Sequence, residues 1–205
     1  MTPGRRAAKR GGWRIWCPSL GRLLAMGFLV TAVCGPANAD EQAVAALLKP
    51  LDLVGYRAGT KPPDFGGLTS DARQLSMTKL RGKVVIVNFW ASWCHECRPE
   101  MPALQQLHRE FASRGLAVIG INAREETAVI RHYAKELGLT FPLILDPDGK
   151  INTLYGVVGL PATFVIGRDG RAVAFGIGSR EWAGAPARAL IEALLAEPAR
   201  RAGAL

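Results

Sequence analysis

The segment Val84-Val85-Ile86-Val87-Asn88-Phe89-Trp90 is almost unbroken in apolar side chains and leads directly into Trp93-Cys94-His95-Glu96-Cys97. Such a run without polar alternation suits a strand buried on both faces, which calls for helices on either side of its sheet. The period then changes. Met101, Leu104, Leu107 and Phe111 recur at helical spacing, and Gly115 supplies the stop. Two cysteines therefore stand where a buried strand ends and a helix begins.

The same reading extends downstream. A second buried strand fits Leu116 to Ile121, and Val129, Ile130, Tyr133, Ala134 and Leu137 make an amphipathic helix ended by Gly138. Strands are predicted at Phe141 to Leu145, Ala162 to Ile166 and Arg171 to Gly176, the last two joined by an Arg168-Asp169-Gly170 turn. A closing helix fits Trp182 to Leu195. This order predicts an α/β fold with a mixed central sheet flanked by helices. Upstream, Val44, Leu47, Leu48, Leu51 and Val54 have roughly helical spacing interrupted by Pro50, Thr60 to Asp64 reads as a linker, and Phe65 to Leu80 as an N-terminal hairpin around Thr69-Ser70-Asp71. Residues 40–63 are thus expected to form a helical extension and linker, and 64–205 the main domain.

Net charge bears on partners. The 205 residues carry +9 at pH 7, which in a folded domain would suggest a polyanion partner. Six of the 26 basic residues, Arg5, Arg6, Lys9, Arg10, Arg14 and Arg22, lie in the first 39 positions with no acid among them. Their removal leaves 20 basic against 17 acidic residues, or +3, and no case for nucleic acid. These charges precede an apolar run from Leu23 to Val33 and the small-residue stretch Ala37-Asn38-Ala39, the plan of a secretory signal peptide over residues 1–39. Uncleaved, residues 23–37 would instead be a membrane anchor, the one membrane contact expected. Cleavage also removes Cys17 and Cys34, leaving Cys94 and Cys97 alone in an oxidising compartment, outside the cytoplasmic membrane.

A cysteine at a helix start faces unpaired backbone N–H groups and the positive end of the helix dipole, both of which favour its thiolate. Cys94, nearer that end, is the expected nucleophile. Cys97, one turn in, is expected to be buried and to resolve the mixed disulfide. His95 as a cation would stabilise a Cys94 thiolate and Glu96 as an anion would oppose it, so this pair is expected to tune the potential.

The stretch Gly82 to Pro102, with its Trp-Cys-His-Glu-Cys core, and Tyr155-Gly156-Val157-Val158-Gly159-Leu160-Pro161-Ala162-Thr163-Phe164-Val165-Ile166 resemble the TlpA/ResA-like branch of the thioredoxin superfamily. The resemblance covers about residues 63 to 195. It implies a thioredoxin-like fold, thiol-disulfide exchange without a cofactor, and a periplasmic location. It also implies that Pro161 is cis and faces the disulfide, with Trp93, Leu160 and Pro161 contacting substrate. Glu100 matches an acid that relays the Cys97 proton, and Glu125 another acid near the site. The departures are Asn88, where classical thioredoxins have a buried Asp, and Glu96, where commoner motifs have Pro. Partners implied are protein thiol or disulfide substrates, such as apocytochrome c or copper-site proteins, and a membrane electron donor. Activity is expected as a reductase rather than an oxidase.

The rival reading is a copper-binding module or metallochaperone using Cys94, His95 and Cys97. A closed zinc site would need ligands that the mature chain hardly offers. Covalent haem attachment needs His directly after the second cysteine, where Arg98 stands. The Pro and Thr that precede a peroxidatic cysteine would fall at Val87 and Ala91.

Overall fold

The computed structural model describes residues 36–198. Residues 1–35 of the expected signal peptide, with Cys17, Cys34 and most of the anchor stretch, lie outside the described residues, whereas its last four residues, 36–39, are helical. Among them no helix is long and apolar enough to cross a membrane.

A six-stranded mixed sheet forms the centre, in the order β1 (Val54–Gly55), β8 (Ala172–Ile177), β7 (Ala162–Ile166), β4 (Val84–Trp90), β5 (Leu116–Ala123) and β6 (Leu143–Asp146). Strands β4, β5 and β6 run parallel, while β7 is antiparallel to β4 and β8 to β7. Every residue of β4 is buried, as its apolar composition demands. Helices α1 (Pro36–Leu48), α2 (Glu100–Phe111), α3 (Thr127–Glu136), α4 (Lys150–Leu154) and α5 (Ala185–Ala196) complete the fold.

Two apolar clusters divide the sheet's faces. Ile86 and Trp90 of β4 pack with Leu104, Leu107, Leu190 and Leu194 in one, whereas Val85, Val87 and Phe89 pack with Ile151 and Tyr155 in the other. Successive β4 side chains thus enter opposite cores, the period-two geometry of a strand.

The expected hairpin forms as a separate two-stranded sheet, β2 (Gly66–Leu68) with β3 (Gln74–Ser76), and Thr69 bridges to Ile144 at the β6 edge. Three features differ from expectation. The helical extension ends in a short 3-10 turn, Lys49–Leu51, and then in β1, whose two residues oppose Phe175 and Ala174 on β8. Helix α4 was not expected; its Asn152 amide and the Ile151 N–H both donate to the buried Asp146 carboxylate. Helix α5 starts at Ala185 rather than Trp182, and Pro186 stands in its first turn, where a missing N–H is harmless.

Candidate active site

Cys94 stands just past the C-terminal end of the central strand β4, and a short 3-10 turn, His95–Cys97, precedes α2. Cys94 and Cys97 form a disulfide. Cys94 retains 7% exposure and Cys97 none, while the neighbouring Trp93 is 70% exposed. The Cys97 N–H donates to Cys94 Sγ at 3.2 Å, so the backbone of the turn already favours charge on the outer sulfur. His95 and Glu96 are both exposed and flank this turn.

A shallow groove beside the sulfurs is lined by Trp93, Cys94, Arg124, Val157, Gly159 and Leu160. Its far wall leads into the Leu160-Pro161 bond, which is cis. Pro161 is buried, and its carbonyl accepts from the Gly178 N–H at 2.8 Å. The structure thus brings Trp93, Cys94 and Leu160 to one groove, whereas the buried Pro161 follows Leu160 in the chain without lining the groove itself.

Glu100 lies one turn beyond Cys97 and is 1% exposed. Its Oε1 accepts from the Arg180 backbone N–H at 2.6 Å and from Trp182 Nε1 at 3.0 Å, and its Oε2 from Asn88 Nδ2 at 3.4 Å. Burial pushes its pKa up to about 7, against the opposing pull of these donors and of the Arg180 charge. A buried carboxyl poised there can exchange a proton with a thiol near neutral pH. Asn88 also donates to Thr163 Oγ at 2.9 Å, its partner across the β4–β7 register. The other end of that amide, Asn88 Oδ1, is buried without a donor. Rotating the amide by half a turn would present this oxygen to a protonated Glu100, so Asn88 can serve either protonation state.

Glu125 follows β5 and acts on the loop ahead of the cysteines. Its Oε2 accepts from the Ser92 N–H at 2.7 Å and from Asn122 Nδ2 at 2.6 Å, and its Oε1 accepts from the Ser92 hydroxyl. The β4–β5 register sets Trp90 opposite Asn122, which brings these partners together. Sequence reasoning missed Arg180 and Trp182, whose indole it assigned to a helix. A signal was present in Pro186, which marks the helix start downstream of both.

Among the described residues no group of three or more His, Cys, Asp or Glu could hold a metal ion. The copper reading of Cys94, His95 and Cys97 therefore finds no third ligand grouped with the two cysteines.

The AhpC/TSA family model matches residues 58–174. Over 120 residues the chain is 38% identical to the thioredoxin-like protein YneN of Bacillus subtilis, covering 57% of this chain and 69% of that relative. It is 29% identical over 147 residues to the thiol-disulfide oxidoreductase ResA of the same organism, covering 72% and 79%. A solved structure of a thiol:disulfide interchange protein of the thioredoxin family from Chlorobium tepidum aligns with a TM-score of 0.62 at 31% identity, over 68% of this chain and 99% of that one. Sheet order, paired cysteines and these likenesses agree, and the chain belongs to the AhpC/TSA family, in its thioredoxin-like branch together with the ResA-type thiol-disulfide oxidoreductases.

Proposed function

We propose that this protein is exported and there reduces disulfides of protein substrates through Cys94 and Cys97. The observation that carries the reading is the asymmetry of the pair: Cys94 holds the remaining exposure after the exposed Trp93, and Cys97 is sealed, three positions before the equally buried Glu100. The Cys94 thiolate attacks a substrate disulfide, one substrate sulfur leaves as a thiolate, and a mixed disulfide forms. Cys97 then loses its proton to the Glu100 carboxylate and attacks the Cys94 sulfur. The Cys94–Cys97 disulfide forms, the second substrate sulfur departs, and two electrons have moved to the substrate. Substrate backbone lies in the groove against Leu160 and Pro161, with Trp93 and Leu160 as apolar contacts.

Export is supported by the charged, apolar and small-residue segments of residues 1–39, which leave Asp40 as the first mature residue. If those residues stay attached, residues 23–37 hold the protein at the membrane. A membrane protein returns electrons to the pair, because no soluble thiol pool maintains reduction outside the cytoplasm. Oxidised apocytochrome c and copper-site proteins are the substrates proposed.

The test uses pre-reduced protein and oxidised apocytochrome c. Free thiols should appear on the substrate as Cys94–Cys97 closes, and a Cys97→Ser variant should accumulate a mixed disulfide at Cys94. The potential should lie nearer the about −270 mV of thioredoxin than the about −120 mV of a strong oxidant. A potential at the oxidising end, with transfer only toward substrate thiols, would overturn the reductase reading.

A further inference from the structure

Arg180 joins three parts of the molecule that are distant in sequence. Its backbone N–H donates to Glu100 Oε1 at 2.6 Å. Its guanidinium donates through Nε to the Leu51 carbonyl at 2.9 Å, through Nη2 to the Asp52 carbonyl at 2.7 Å and through Nη1 to the Gly178 carbonyl at 2.5 Å. The Arg180 side chain is 6% exposed, and the exposed Asp52 carboxylate lies 3.8 Å from Nη2. A guanidinium keeps its charge and is costly to bury unless its donors are met, so these carbonyls are what allow it to lie inside. Space is reserved as well: a Cβ at Gly176 would come within 2.3 Å of the guanidinium carbon.

The carbonyls of Leu51 and Asp52 belong to the end of the N-terminal extension. Leu48, Leu51 and Leu53 are buried in the same core as Leu190 and Leu194 of α5, and Val54 pairs with Phe175 on β8. Between these attachments Asp52 adopts φ +50°, and its N–H closes onto the Lys49 carbonyl at 3.0 Å. That left-handed turn lets two successive carbonyls reach one guanidinium. The extension therefore ends in a receptor for Arg180.

We propose that Arg180 is a positioning residue for the thiol chemistry, and that the N-terminal extension serves that chemistry by gripping the Arg180 guanidinium. The proposal rests on the reading above in which Glu100 relays the Cys97 proton. Residues 178–182 carry both donors to Glu100 Oε1, the Arg180 N–H and the Trp182 indole. At one end the segment is tied to Pro161 through the Gly178 N–H, and at its middle to Leu51 and Asp52 through the guanidinium. Without the grip both donors lose their aim, and the carboxylate form of Glu100 loses stabilisation. The charged group acting on Glu100 from outside α2 is Arg180 itself, whereas Asn88 and Trp182 face it as neutral donors. Cys94 and Cys97, on the preceding turn, become titratable once reduced.

The experiment follows the Glu100 carboxyl by carbon NMR titration in the oxidised protein, where neither cysteine titrates. Arg180→Gln should move the midpoint upward by about one pH unit, the scale of one charge-assisted hydrogen bond. Arg180→Lys, which keeps the charge but lacks the fork to span both carbonyls, should fall between. Asp52→Val, disfavoured at positive φ, should shift the midpoint in the same direction, and Asp52→Gly, which tolerates that φ, should leave it in place. In the reduced state the shifted variants should show the same displacement in the pH dependence of release from a mixed disulfide. Unmoved midpoints in folded Arg180→Gln and Asp52→Val proteins would overturn the proposal, as would a lowered melting temperature as the sole effect. If Arg180→Gln does not fold, the two Asp52 variants decide alone. The titration needs no substrate, so a protein inert toward disulfides refutes the reductase reading while leaving this test intact.

Discussion

The indole Nε1 of Trp182 donates to Glu100 Oε1 at 3.0 Å, joining residues 82 positions apart in a contact that is fully buried. A charged acceptor makes this bond stronger than a neutral one, and its worth therefore depends on whether Glu100 carries its proton. Trp182→Phe retains most of the ring and removes the donor. We expect it to cost about 1–3 kcal/mol at pH 8, where the carboxylate dominates, and less at pH 5. Urea denaturation at the two pH values checks this, and an equal loss at both would show that packing alone is involved.

The raised pKa of Glu100, about 7, makes a second prediction about stability. In the unfolded chain this carboxyl returns to its ordinary value near 4.5, so between the two the folded state binds the extra proton. Stability from this group is fully present below the unfolded value and is lost as pH rises through about 7. Glu100→Gln removes the titration but keeps an acceptor for Arg180 and Trp182. Relative to the native protein, the oxidised variant should gain up to ~2–3 kcal/mol between pH 4 and pH 8. If Glu100 is the base proposed for Cys97, the variant should also slow release from the mixed disulfide by roughly tenfold or more. A pH-independent stability difference would contradict the assignment.

Accessibility sets a third expectation. In reduced protein treated with limiting iodoacetamide, Cys94 should be alkylated at least about tenfold faster than Cys97, because the outer sulfur is the better exposed and is the one that receives the Cys97 N–H. Peptide mapping of the adduct reads the ratio directly. Preferential labelling of Cys97 would reverse the roles given to the pair.

Local pattern made much of this molecule legible. The Val84–Trp90 run, the helical spacing after Cys97 and the Ala162–Ile166 strand all follow from side-chain periodicity, which neighbours in sequence determine. Strand β1 escaped because two residues cannot display alternation, and its place is decided by the β8 edge it meets. Helix α4 escaped because five residues, little more than one turn, are too few for the apolar spacing to repeat. At the site, the motif surrounding Cys94 and Cys97 exposed the sulfur pair and, through resemblance, Glu100 and Pro161. The donors to Glu100 were hidden: Arg180 and Trp182 act across 80 and 82 positions, and no local rule connects them with an acid on α2.

Glu125 provides the last prediction, because its contacts differ in kind from those of Glu100. It is half-buried and ties the loop before Cys94 to the end of β5, taking the Ser92 N–H at 2.7 Å and the Asn122 amide at 2.6 Å on one oxygen. Asn122 is fully buried, so deleting the carboxylate leaves its Nδ2 without that acceptor and frees the Ser92 amide. Glu125→Ala should therefore destabilise the protein by about 1–3 kcal/mol and speed hydrogen exchange at Ser92. Because these contacts reach the loop backbone rather than the sulfurs, the midpoint of the pH profile for Cys94 alkylation should stay in place while the profile's amplitude changes. A displaced midpoint with Ser92 exchange unaltered would instead make Glu125 a direct electrostatic partner of the thiols.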